Sequence, residues 1–356
     1  MLHRQDAQME NGFMRATVLQ EMEILENIIE RGRAALSVRT VCSVDSDGKC
    51  LPVYGIALGS DRPDVPVVGF FGGVHGLENI GTQVVLAYLN SLVERLKWDA
   101  TLHEQLASVR LVFMPLVNPG GMARRTRSNP RGVDLMRNAP VQSEQKVPFL
   151  LGGQRISRHL PWYRGDAVME AESEAMCRFV NDEFFGRRFS IALDCHSGFG
   201  SRDRIWFPCA CSKTPIPHLP ELSALHELFC RSYPHHDYLF EPQSRQYMTH
   251  GDLWDHLYLQ AQHRHAEQVF LPLTLEMGSW RWIRKYPMQL FSKAGFFNPF
   301  PVHRLQRVLR RHLVWLEFLT LAARGWQQWL PVGAARDTFD ARARTQWYGG
   351  YDGAGA

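Results

Sequence analysis

The strongest constraint on how this chain folds is a series of short apolar runs, each halted by glycine and followed by histidine or a helix-period stretch. Val65 to Phe71 is one such run, interrupted only by Pro66 and Gly69, and reads as a buried strand. Gly72-Gly73 ends it, and His75 and Glu78 follow three apart. Ile80 to Leu96 then carries Val84, Val85, Tyr88, Leu89, Leu92 and Leu96 at helical spacing. Strand, glycine turn and helix start therefore place His75 and Glu78 at one edge of a sheet. Residues three apart in a helical turn share a side, so imidazole and carboxylate can point at one ion, and zinc accepts that mixture. The pair also reads as an ordinary surface helix start with a capping carboxylate, so alone it does not decide the matter.

The pattern repeats along the chain. Val109 to Val117 is a second buried strand, stopped by Asn118-Pro119-Gly120-Gly121. Phe189 to Cys195 is a third, and it ends at His196-Ser197-Gly198, so a second histidine follows a buried strand and precedes glycine. Val269 to Glu276 closes on a carboxylate, which is costly in an apolar strand unless paired, solvated or functional. Helical stretches are expected at Val18 to Leu36, near Leu102 to Leu106, at Ala167 to Phe185, in part of Ile216 to Tyr233, at Gly251 to His263 and at Pro301 to Trp326. Val38 to Val44 and Leu51 to Leu58 flank Asp45-Ser46-Asp47-Gly48 as a hairpin. This alternation predicts an α/β fold, a single domain with a mixed, mostly parallel central sheet flanked by helices. The expected layout is an N-terminal helical extension over 1–37, a catalytic domain over 38–330 and a flexible tail over 331–356, where apolar periodicity is lost.

Composition removes several classes of function. With 45% hydrophobic and 11% aromatic residues the chain can build a large core and is not a disordered protein. A net charge of +4 over 356 residues makes no case for nucleic acid or an anionic membrane as partner. No apolar run reaches transmembrane length, and Met1 to Arg15 lacks the apolar core of a secretory signal. The seven cysteines are odd in number and scattered, which reads as free thiols in a reducing cytoplasm. Cys209-x-Cys211 and His263-x-His265 lack a partner pair at zinc-module spacing. The loop from Arg124 to Asn138 holds five arginines; it reads either as a solvated basic loop or as a binder of anionic groups at the sheet edge.

Taken in order, His75-x-x-Glu78, Asn118-Pro119-x-Gly121, Arg124, Asp134-x-x-Arg137-Asn138, His196 and Glu276 resemble the motif set of the zinc metallocarboxypeptidases of the carboxypeptidase A type. The similarity spans about residues 50 to 325 and implies a carboxypeptidase-like fold. It further implies one zinc per chain, held by His75, Glu78 and His196, with Glu276 as general base. Arg124 would polarise the scissile carbonyl, Arg137 would grip the terminal carboxylate, and Tyr247, ahead of Gly251, would be the mobile tyrosine. Two positions depart from the family: Met136 stands where an asparagine is usual, and Leu77 where the digestive enzymes carry an arginine. The second departure is shared with the related deacylases of the aspartoacylase and succinylglutamate desuccinylase type. The implied substrate is thus a peptide, or alternatively an N-acyl amino acid, with a free carboxylate. A non-catalytic metal-binding module is the remaining alternative, and a Glu276 that ligates nothing argues against it.

Overall fold

The hairpin near the start of the chain forms as its turn chemistry predicts. In this computed structural model, which describes residues 19–292 and 294–349, β1 (Ser37–Ser46) and β2 (Lys49–Gly59) pair antiparallel. Asp47 and Gly48 between them both take positive φ, as a two-residue hairpin turn requires. The remaining strands are β3 (Val67–Gly72), β4 (Arg110–Met114), β5 (Phe189–Ser197), β6 (Arg204–Phe207), β7 (Leu239–Pro242) and β8 (Val269–Met277). All eight form one sheet in the order β1-β2-β4-β3-β5-β8-β6-β7. Its centre, β4-β3-β5-β8, is parallel; β2 and β6 join that block antiparallel, and β7 runs parallel to β6.

Helices cover both faces of the parallel centre, which is why β3 and β5 are buried along their whole length. The larger ones are α1 (Gln20–Gly32), α2 (Asn79–Arg95) and, after the short α3 (Ala100–Leu106) and α4 (Pro119–Ala123), α5 (Ala171–Phe184), α6 (Leu219–Ser232) and α7 (Leu253–Arg264). Then come the short α8 (Trp280–Lys285), the long α9 (Val302–Arg324), α10 (Trp326–Trp329) and α11 (Ala334–Ala343). Adjacent residues of β3 show the two layers. Phe70 meets Tyr88 of α2 at 5.0 Å between ring centroids, while Phe71 meets Trp254 of α7 at 4.9 Å on the opposite face. Helix α2 sits unusually close to the sheet: a Cβ on Gly81 would lie 2.0 Å from the Cys195 carbonyl oxygen. Among the described residues, no helix is long and apolar enough to cross a membrane. All seven cysteines are free.

Two features differ from the sequence expectations. β6 and β7 are absent from the sequence reading; each has four residues, too few to show a period, and gains its partners only across the sheet. The stretch expected as a flexible tail instead carries α11 and a following π-helical turn, Arg344–Tyr348. That segment docks on α6, with Arg336 bonded to Glu221 at 2.7 Å and Trp347 buried against Phe207. Its local composition is polar and only three-dimensional packing supplies an apolar partner; residues 350–356 lie outside the described residues. Helix α1 lies within the expected N-terminal helical extension and packs onto the domain: Leu25 and Ile28 are buried and Asn79 donates to Glu21 at 2.7 Å.

Candidate active site

From β3 the chain runs through α2 to β4 on one side, then crosses back to β5 on the other. Such a reversal opens a crevice beyond the carboxyl ends of the strands. Three segments reach it there: the turn after β3 with His75 and Glu78, the end of β5 with His196, and the end of β8 with Glu276. His196 and Glu276 are direct partners in the parallel register of β5 and β8. His75 and Glu78 do not sit in the helix, as their spacing suggested, but in the turn before it, closed by Glu78 N–H to the His75 carbonyl at 3.1 Å.

Three donors converge in this crevice. Glu78 Oε1 lies 2.8 Å from His75 Nδ1, and Glu78 Oε2 lies 3.0 Å from His196 Nδ1. The two Nδ1 atoms are 3.2 Å apart. Each ring is oriented from behind by a carboxylate: His75 Nε2 donates to Asp134 at 3.1 Å, and His196 Nε2 donates to Asp194 at 2.8 Å. Trp254 in turn donates to Asp194 at 2.9 Å. With Nε2 of each ring turned to its carboxylate, both Nδ1 atoms face each other and the Glu78 carboxylate. Such a set is favourable only around a cation. Tetrahedral zinc with bonds of about 2.0–2.1 Å spaces its ligands about 3.3 Å apart, which these separations approach, so the residues fit the metal.

Charge is closely matched around that point. Burial works against an ionised Glu78, yet the His75 and His196 imidazoles hold its carboxyl far below the usual range. Burial likewise opposes His196 protonation, but Asp194 and Glu78 outweigh it and raise the imidazole well above its ordinary value. Asp134 is held low against burial by Arg127, then His75. For Glu276 the balance falls the other way: burial and then the Glu78 carboxylate outweigh His196 and Arg127 and push it up to about 8. A cation nearby would draw it back down. Glu276 accepts from Phe199 N–H at 2.9 Å and has its carboxylate in the cavity.

The arginine loop sorts its members in a way that its sequence did not. Arg124, expected at the carbonyl, points away: it pairs with Asp47 at 2.8 Å and donates to the Pro130 carbonyl at 2.9 Å. Arg127 is the residue that enters the cavity, donating to Asp134 at 2.8 Å and approaching Glu78 at 3.4 Å. The chain turns through positive φ at Arg125, so neighbouring arginines leave in different directions. Arg137 and Tyr247 both line the cavity of about 240 Å³, and Met136 lines it beside them. Arg137 is anchored through its backbone: Arg164 donates to its carbonyl at 3.0 Å, and a Cβ on Gly251 (φ +75) would fall 1.9 Å from that oxygen. Tyr247 packs edge-on against Trp206 at 5.9 Å. Sequence reasoning missed Asp194, although a carboxylate two residues before a strand histidine shares its face, and it left Asp134 without a role.

Residues 40–267 match the family described as zinc carboxypeptidase. The chain belongs to that family. The matched span ends before β8, so Glu276 enters through the sheet register and not through that match. Carboxypeptidase SOL1 of Arabidopsis thaliana is 34% identical over 102 residues, 28% of this chain. The likeness spans only 20% of that protein's own length. Among solved structures, bovine thrombin-activatable fibrinolysis inhibitor superposes with a TM-score of 0.62 at 18% identity, over 87% of this chain and 97% of that one. Carboxypeptidase A from Helicoverpa armigera gives 0.60 at 14% identity, over 85% and 72% of the two chains. At those identities the likeness concerns the fold. The chain therefore has the fold of its family and brings His75, Glu78 and His196 into one group that could hold a metal ion.

Proposed function

We propose that this protein is a zinc-dependent metallocarboxypeptidase that hydrolyses the C-terminal bond of a peptide bearing a free carboxylate. The observation that carries the reading is Glu276, registered beside His196 at the mouth of the donor group yet spared from it. A zinc ion held by His75, Glu78 and His196 would supply a bound water acidic enough to ionise near neutral pH. Glu276 takes a proton from the attacking water and passes it to the departing amine. Arg127, in place of Arg124, donates to the carbonyl oxygen as negative charge develops on it, with Asp134 holding the guanidinium in position. Arg137 receives the terminal carboxylate in a two-bond fork, and Tyr247 stands beside it as an aromatic wall. Met136 brings a thioether to the cavity and no hydrogen-bond donor, so Arg137 carries carboxylate recognition without an amide neighbour.

The test is a panel of peptides ending in lysine, leucine or glutamate, assayed beside N-acyl amino acids, with metal content measured on the same preparation. Release of C-terminal residues by protein carrying about one zinc per chain is the expected result. Turnover confined to the N-acyl amino acids would transfer the site to deacylation.

A further inference from the structure

A second cavity, of about 240 Å³, lies behind the wall formed by the segments 198–203 and 276–285. Its character is the opposite of the first. Arg281 and Lys285 enter it from α8, and Arg304, Arg307 and Arg311 from α9. The three arginines of α9 stand at spacings of three and four, so they form one stripe along the helix. Asp203 is the lone carboxylate in the lining, and it is already engaged by Arg311 at 3.1 Å and by the Gly278 N–H at 2.9 Å. Among the described residues, no carboxylate pairs with Arg281, Lys285, Arg304 or Arg307. Arg304 donates to the Trp282 and Lys285 carbonyls, and Arg281 Nε to that of Ser201, which fixes two of the guanidinium groups in the wall.

This arrangement works against the helix that carries it. Like charges three and four apart repel, and α9 begins without a side-chain cap and without an acidic residue in its first turn. His303 and Arg304 stand there instead, beside the positive end of the dipole. A concave site that gathers five cations and leaves four of them without a carboxylate partner is built for an anion.

We infer that this cavity binds a small polyanion bearing phosphate groups, at a site separate from the catalytic cleft and independent of the reaction proposed for it. Planar guanidinium forks suit phosphate oxygens, and the cavity has room for more than one phosphate. A phosphorylated metabolite or a phospholipid headgroup could present the same chemistry; the cavity's enclosure between two helices and a loop favours the soluble form.

The experiment titrates the full-length zinc-loaded protein with tripolyphosphate, reading Tm and calorimetric heat against chloride at matched ionic strength. Saturable binding with a rise in Tm of about 3–5 °C at a hundredfold excess over Kd is expected. Arg307→Gln, an exposed position, should weaken it by about tenfold or more and raise the Tm of the ligand-free protein, because it also relieves the repulsion. Arg137→Ala, which empties the catalytic cleft of its anion receptor, should leave the binding intact. A response equal to that of chloride, or one lost with Arg137→Ala and kept with Arg307→Gln, would overturn the inference. So would binding to phosphatidic acid vesicles with none to soluble tripolyphosphate.

Discussion

Two neighbouring cavities on the carboxyl side of one sheet handle charge in opposite ways. In the cleft that holds the His-Glu-His group the buried carboxylates are matched: Glu78 faces two imidazoles, Asp134 faces Arg127 and His75, and Asp194 faces His196 and Trp254. In the cavity between α8 and α9 the cations meet one carboxylate that is already engaged. The difference follows from burial. Asp134, Asp194 and Glu78 are almost wholly withdrawn from water, where an unpaired charge would cost several kcal/mol, so their partners had to be built in. Lys285 and Arg307 are exposed and can stand unpaired at little cost. A matched, buried set orients groups for chemistry, whereas an unmatched, half-open set waits for a charge from solution.

The comparison can be broken at its strongest point first. Glu276→Gln should lower kcat by about 10³-fold with zinc content unchanged, because the proton acceptor goes while the donor group stays. Near-normal hydrolysis would remove Glu276 from the reaction. Next, Arg127→Ala should cost about 10²-fold in kcat, roughly 3 kcal/mol, while Arg124→Ala changes it by less than about threefold. The reverse order would restore the role to the surface arginine. Asp194→Asn should then weaken zinc binding by about 10- to 100-fold, measured by competition with a chelator, since His196 would lose the carboxylate that fixes its ring. An unchanged affinity would mean the pairing is idle.

A further test concerns buried histidines, one of them in the lining of the second cavity. Burial lowers His312, which accepts from or donates to Tyr238 at 2.8 Å, from 6.5 to about 4. His218 is lowered to about 4 by burial, then by Arg336. Between pH 6.5 and 4 the unfolded chain binds these protons and the folded chain does not, so stability falls as pH drops through that window. The loss approaches about 3 kcal/mol per group. His312→Gln should reduce the slope of stability against pH in that range, read by urea unfolding, and an unchanged slope would assign the window to other groups.

The parts legible in sequence were those with a period or a sharp stop. β3, β5 and β8 announce themselves as apolar runs ending at glycine or a carboxylate, and His75, Glu78, His196 and Glu276 were singled out because each stands near such a stop. Arg127 was passed over for Arg124 because three arginines within four residues are equivalent until the backbone turns at Arg125. β6, β7 and the segment around Trp347 escaped notice because four residues, or a polar stretch with one tryptophan, hold no pattern of their own.

Local order along the chain was enough to determine the alternating α/β build, the hairpin, and which side chains sit at the strand ends, because those depend on residues a few positions apart. Folding alone decided which imidazole nitrogen faces inward, which arginine enters the cleft, that Glu276 lies in register with His196, and that five cations of α8 and α9 share one cavity. Those facts depend on distances between segments remote in sequence, and such distances exist only once the strands have taken their places in the sheet.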